Sequence, residues 1–238
     1  RSYPVLDGTY TGPHTIRSPK TFSRAVINYE GDLSLAQLGF VVVTIDAKGT
    51  AFRSKPFHEA SYQNLGVGVD EHVRILRELA QTRPWMDLDR VGIYGSSVGG
   101  HDTVRGLLKH PGFYRAGVAG AGSHDYRVSK AWWPEMYLGY PANPGLYDAQ
   151  SNFPLARNLK GKLLLVHGNI DENVNPATTL RLCDELVKAN RDFELLLLPE
   201  AHHGAMWSSP YFFRRRWDFF VRHLLGQEPP AGFCLEDR

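Results

Sequence analysis

Three short segments carry side chains that together can cleave an acyl bond. The first is Gly95-Ser96-Ser97-Val98-Gly99-Gly100, which follows the apolar run Val91–Tyr94 and opens a helical pattern from Val98 to Lys109. This is G-x-S-x-G in a strand–turn–helix setting, where the motif marks a nucleophilic serine lifted above a sheet on a strained turn. Side chains two residues either side of that serine would strike neighbouring backbone. Gly95 and Gly99 therefore select Ser97, because the positions equivalent for Ser96 are Tyr94 and Val98. The same turn aims the Val98 N–H and the start of the helix at a developing oxyanion.

A serine hydroxyl needs a base, and the base needs an orienting carboxylate. Both follow in the chain order this arrangement uses, serine, then acid, then histidine. Asp171 lies in Gly168-Asn-Ile-Asp171-Glu172-Asn173-Val174, just after the apolar run Leu163–His167, and is the expected acid; Glu172 is the alternative. A carboxylate there sits at the carboxyl end of a strand, where sites in parallel sheets form. His203 is the expected base, in Pro199-Glu-Ala-His202-His203-Gly204 after the last strand-like run, Phe193–Leu198. Gly204 lets that loop turn toward the serine; His202 is the alternative. His101, His110 and His167 occupy helix, turn and strand-end positions and read as structural. A second oxyanion donor should come from the loop after the first strand, Tyr10-Thr11-Gly12-Pro13, where Tyr10 is either that donor or a packing residue.

These segments need a parallel sheet beneath them. Phe40–Ile45, Val91–Tyr94, Ala116–Ala121, Leu163–His167 and Phe193–Leu198 read as buried strands. Residues 25–29 and 33–38, and 67–81, 98–109, 176–189 and 211–225, read as helices. The alternation predicts an α/β class, with a mostly parallel sheet and helices on both faces. The stretch from His124 to Phe153, rich in aromatics and prolines, is too long for a simple connection and should be an excursion beside the site. Arg214-Arg-Arg216 reads as a solvated face of the last helix.

Composition narrows the class further. The 238 residues fit one domain, and 42% hydrophobic with 22% charged residues is the balance of a globular protein. A net charge of +2 gives no reason to expect a nucleic-acid partner. No apolar run approaches the roughly 20 residues of a membrane span. No Walker loop, zinc-spaced Cys/His cluster or EF-hand loop occurs, so neither metal nor cofactor is expected. Cys183 and Cys234 read as free thiols. The chain opens Arg1-Ser-Tyr-Pro without an initiator methionine or signal peptide, which suggests a domain of a longer polypeptide.

With these residues in place, the chain resembles the peptidase domain of the prolyl oligopeptidase family, and within it the dipeptidyl-peptidase IV branch. The likeness runs in order through Tyr10-Thr-Gly-Pro13, Leu38-Gly-Phe-Val-Val-Val-Thr-Ile-Asp46, Pro84-Trp-Met-Asp-Leu-Asp-Arg-Val-Gly-Ile-Tyr-Gly95, His167-Gly-x-x-Asp171-x-Asn173-Val174 and His203-Gly204. It implies the α/β-hydrolase fold and a peptidase forming an acyl-enzyme near the N-terminus of peptides, with a preference for proline or alanine. It makes Tyr10 an oxyanion donor beside Val98, and Asn173 a ligand of a substrate carbonyl. Trp133, Tyr137, Val174 and Val98 become walls of the specificity pocket. It also implies an upstream β-propeller in the same polypeptide, homodimerisation through the last strand and helix, and an extracytoplasmic location. The sequence departs from the family at Val98 and Trp133, where aromatics and tyrosine are usual, at Ala47-Lys48-Gly49, and at His202. An acylaminoacyl or small-ester hydrolase using the same triad is the alternative function, and a non-catalytic binding module a third.

Overall fold

Strand β5 (Lys162–Gly168) shows how the sheet is built. Leu163 and Leu165 enter one apolar cluster, Leu164 and Val166 another, so a continuous apolar run fills both faces. The same alternation sends Val5 and Leu6 of β1 (Tyr3–Gly8), and Ile93 and Tyr94 of β3 (Met86–Ser96), to opposite clusters. With β2 (Val41–Thr44), β4 (Tyr114–Gly120) and β6 (Glu194–Leu198) they form a six-stranded sheet ordered β2-β1-β3-β4-β5-β6. Every neighbouring pair is parallel. This computed structural model describes residues 1–21 and 30–235, and the helix expected over 25–29 lies outside the described residues.

Helices cover both faces. On one lie α3 (Val67–Gln81), α4 (Val98–Lys109) and α7 (Ala177–Lys188), which contribute Val73, Leu76, Val104, Leu107, Leu182 and Leu186 to the core. On the other lie α1 (Asp32–Gln37) and α8 (Pro210–Phe220), with Leu35, Phe212 and Phe219. Three more short helices lie among the described residues: α2 (Lys55–Glu59), α5 (Trp132–Leu138) and α6 (Pro144–Gln150). The last two form the excursion expected between His124 and Phe153.

Two sequence readings change. Strand β3 begins at Met86, five residues before the expected start, because Tyr3 pairs with Met86 and the register shifts between Pro4 and Val5. That irregularity lets the polar stretch Asp87-Leu-Asp-Arg90 join the strand without alternation. Arg216 is not on a solvated face: it is 1% exposed. The buried stripe of α8 repeats at helical spacing and places Arg216 in line with Phe212 and Phe219. Its guanidinium sits 4.9 Å from the Tyr94 ring centre and 5.3 Å from that of Phe212. It donates to the Glu30 carbonyl and faces the Glu30 carboxylate at 3.8 Å. A charge so buried requires such a partner. The final helix also changes form at Phe220, continuing as a π-type turn over Val221–Leu225 and closing at Gly226 with φ +66°.

Candidate active site

Ser97 sits between β3 and α4 with φ +61° and ψ −119°, a conformation a non-glycine residue adopts only under strain. The strain is held by backbone: Ser97 N–H donates to the Gly120 carbonyl at 2.8 Å, and His101 N–H to the Ser97 carbonyl at 3.1 Å. A Cβ at either Gly95 or Gly99 would lie 2.4 Å from the Thr9 carbonyl oxygen. The glycines are therefore where the loop carrying Tyr10 presses onto the turn. Ser96 is fully buried, whereas Ser97 is half-buried and faces a cavity.

His203 opens a one-turn 3-10 segment after β6, and its Nδ1 lies 2.7 Å from Asp171 Oδ2. A carboxylate only accepts, so the imidazole proton sits on Nδ1 and Nε2 is left as a base. The other carboxylate oxygen, Oδ1, accepts the N–H groups of Asn173 at 2.9 Å and Val174 at 2.8 Å. A second histidine, His167, places Nε2 at 3.3 Å from Asp171 Oδ2 and 3.0 Å from the Val174 carbonyl. Its Nδ1 meets the Thr179 hydroxyl at 2.7 Å. Since the carbonyl only accepts, His167 is protonated on Nε2 and Thr179 donates to Nδ1. Burial disfavours the Asp171 charge, but hydrogen bonds from His167, His203 and Val174 outweigh it and hold the carboxyl well below the usual range. Glu172 is exposed and accepts the His203 N–H at 3.3 Å; His202 Nδ1 accepts the Gly204 N–H at 3.0 Å. Both alternatives brace the base loop.

Seven of the nine singled-out residues line one cavity of about 330 Å³: Tyr10, Ser97, Val98, Trp133, Tyr137, Asn173 and Val174. The other two form a bonded pair across two loops: Asp171 on the loop that supplies Asn173 and Val174, and His203 on the loop after β6. The far wall is aromatic. Tyr126 lies between His101, 4.9 Å from its ring centre, and Trp133, 5.5 Å away, and Trp133 meets Tyr137 at 5.0 Å. Helix α4, buried from Gly99 to Leu108, anchors both sides through its polar residues. Asp102 Oδ2 accepts the Thr11 N–H at 2.7 Å, fixing the Tyr10 loop. Arg105 donates to the carbonyls of Ala149 at 2.5 Å and Gln150 at 3.3 Å, fixing the excursion. Among the described residues no cluster of His, Cys, Asp and Glu can hold a metal, and no helix is long and apolar enough to cross a membrane. Both cysteines are free thiols.

The prolyl oligopeptidase family matches residues 29–227. The chain belongs to the prolyl oligopeptidase family. Its fold is that of the α/β-hydrolases. It is 33% identical to dipeptidyl peptidase 8 of Mus musculus over 212 residues, 86% of this chain and 23% of that protein. It is 30% identical over 234 residues to the probable dipeptidyl-aminopeptidase B of Arthroderma gypseum, covering 95% of this chain and 25% of that one. Among solved structures, the dipeptidyl peptidase 4 of Porphyromonas gingivalis superposes with a TM-score of 0.82 at 29% identity, over 94% of this chain and 32% of that one. A putative dipeptidyl aminopeptidase IV from Bacteroides ovatus gives 0.86 at 27% identity, with the same coverage. The chain thus spans about a quarter of the length of these curated relatives.

Sequence reasoning missed three residues of the site. His14 bonds Tyr10, His167 bonds Asp171, and Tyr126 stacks in the wall. Only His167 carried a signal, lying four residues before the acid in the same strand-to-loop segment.

Proposed function

We propose that this chain is the catalytic domain of a serine exopeptidase of the dipeptidyl-peptidase type, with Ser97, His203 and Asp171 as its triad. One observation carries the reading: the strained serine turn lines the same apolar cavity as Asn173 and Val174, whose backbone amides hold the Asp171 carboxylate that bonds His203. Ser97 Oγ attacks the scissile carbonyl while His203 Nε2 takes its proton. Asp171 holds the proton on Nδ1 and stabilises the imidazolium. The Val98 N–H and the Tyr10 hydroxyl donate to the tetrahedral oxyanion. His203 returns the proton to the leaving amine, and water, deprotonated by His203, hydrolyses the acyl-enzyme.

The relatives' names support cleavage near a peptide's N-terminus. Val98, Trp133, Tyr137 and Val174 enclose the pocket for a small apolar residue, proline or alanine. Asn173, whose Oδ1 meets Lys130 Nζ at 3.5 Å, offers its amide N–H groups to a substrate carbonyl. An upstream β-propeller of the same polypeptide binds the free amino terminus. A homodimer forms through β6 and α8, a proposal supported by exposed Leu195 and Leu197 on that edge strand, at 38% and 39%.

Fluorophosphonate labelling tests the nucleophile. Ser97→Ala should abolish labelling, and retained labelling overturns the triad. Turnover of a Gly-Pro anilide by the full-length protein, set against 4-nitrophenyl esters, tests the substrate class. Ester-only turnover would replace the exopeptidase with a small-ester hydrolase.

A further inference from the structure

Tyr10 Oη and His14 Nε2 lie 3.0 Å apart. The two rings meet at 80° with centres 5.6 Å apart, and His14 also meets Trp133 edge-on at 6.0 Å. His14 thus stands between the Tyr10 hydroxyl and the aromatic wall, at the cavity that Ser97 and Val98 line. The loop is shaped for this contact. A Cβ at Gly12 would lie 2.8 Å from Tyr10 Cε1 and 3.0 Å from His14 Cε1, so only glycine lets both rings fold over that position. Thr11, between them, is pinned by Asp102.

A phenol has one proton to give. If Tyr10 spends it on His14 Nε2, none remains for an oxyanion. If His14 carries its proton on Nε2 and donates it, the phenol proton is turned away from His14, and the bond received at Oη polarises the O–H into a stronger donor. Packing of the ring lowers the His14 pKa, so the imidazole is neutral and its single proton can occupy Nε2. We propose that His14 donates Nε2–H to Tyr10 Oη and thereby directs the Tyr10 proton at the oxyanion formed on Ser97. His14 is a positioning residue: it acts on the reacting atoms through Tyr10. The inference rests on the roles given above to Ser97 and Tyr10.

The test is steady-state hydrolysis of 4-nitrophenyl acetate by the full-length protein, which needs no amino-terminus recognition. Tyr10→Phe should lower kcat about 10²-fold, the usual scale for one oxyanion donor. His14→Phe should lower kcat roughly tenfold and leave KM within about twofold, as for a contact that matters only in the transition state. His14→Gln keeps an N–H at similar reach and should recover activity to within about threefold, whereas His14→Asn is too short and should resemble the Phe variant. In the Tyr10→Phe background, His14→Phe should cost less than about twofold, because the two act as one unit. The inference is overturned if Tyr10→Phe is damaging but His14→Phe is harmless, if Gln fails to rescue, or if the losses simply add. If Tyr10→Phe leaves kcat intact, the oxyanion role of Tyr10 falls first and takes the inference with it. Should His14→Phe not fold, the Gln and Asn variants alone decide the matter.

Discussion

The β3–turn–α4 unit and the excursion from His124 to Phe153 enclose one cavity from opposite sides, yet they are held in different ways. The serine turn is fixed by backbone. Its glycines lie against the Thr9 carbonyl with no room for a side chain, and its amides are tied to Gly120 and Ser97 itself. The excursion is held mainly by side chains; besides its local turns, backbone bonds run from Gln63 N–H to the Tyr137 carbonyl and from Asn152 N–H to the His124 carbonyl at its base. Arg127 pairs with Asp125 and Asp148, Tyr147 Oη donates to the Gly139 carbonyl at 2.8 Å, and the wall is a stack of rings. Backbone contacts at the steric limit give all-or-none positioning, which bond-making needs. Side-chain packing gives graded positioning, which suits selection among substrates.

The acid loop belongs with the serine turn, since Asp171 Oδ1 is held by two backbone amides. Replacing its charge should therefore have the largest effect. Asp171→Asn is expected to lower kcat by about 10⁴-fold, because the amide favours the wrong His203 tautomer. Steady-state kinetics with matched thermal melts will measure it, and a loss under tenfold would remove Asp171 from the triad. Gly99→Val comes next. Its Cβ would force Thr9 and the Tyr10 loop away from the turn, and a shift of about 1 Å costs about 10²-fold in rate. Fluorophosphonate labelling rates provide the check. A variant that labels normally would show that the turn tolerates side chains as the excursion does.

The same contrast explains what was legible in the sequence. Local backbone demands betray Ser97, Asp171 and His203: glycines at fixed spacing, a carboxylate after one strand, a histidine before glycine after another. Helices α3 and α4 take the spans their periodicity predicts. Contacts that join distant segments left no such trace. The Asp102–Thr11 bond spans 91 positions, and Arg216 meets Glu30 across 186. An arginine triplet reads as surface until the sheet it packs on is known. His14 leaves no mark in the sequence because its partner is a side chain, not a turn.

On the excursion side, truncation should be graded. Trp133→Ala removes one ring from the wall while Tyr126 and Tyr137 remain. We expect KM for a Gly-Pro anilide to rise about tenfold, the scale of a pocket contact, with kcat within about threefold. A collapse of kcat instead would place Trp133 among the groups that position the reacting atoms and blur the distinction between the two walls.

The smallest expected effect lies where the two regions meet, at Asp102 of α4. Burial raises its pKa to about 6, offset only in part by the Thr11 N–H and by the charges of His72 and Arg105. A carboxyl with a folded-state pKa above its unfolded value holds its proton longer when folded. It therefore costs stability as pH rises from about 4 to 6, and the full cost persists at neutral pH. Asp102→Asn keeps a carbonyl oxygen to accept the Thr11 N–H and removes the ionisation. Urea melts should show the variant more stable than the parent at pH 7.5, by on the order of 2 kcal/mol, with the difference shrinking toward pH 4.5. An equal gain at both pH values would show that packing, not ionisation, sets the difference. Ester turnover should stay within about threefold for Asp102→Asn, because Thr11 remains anchored, and fall for Asp102→Ala, which leaves that N–H buried without its acceptor.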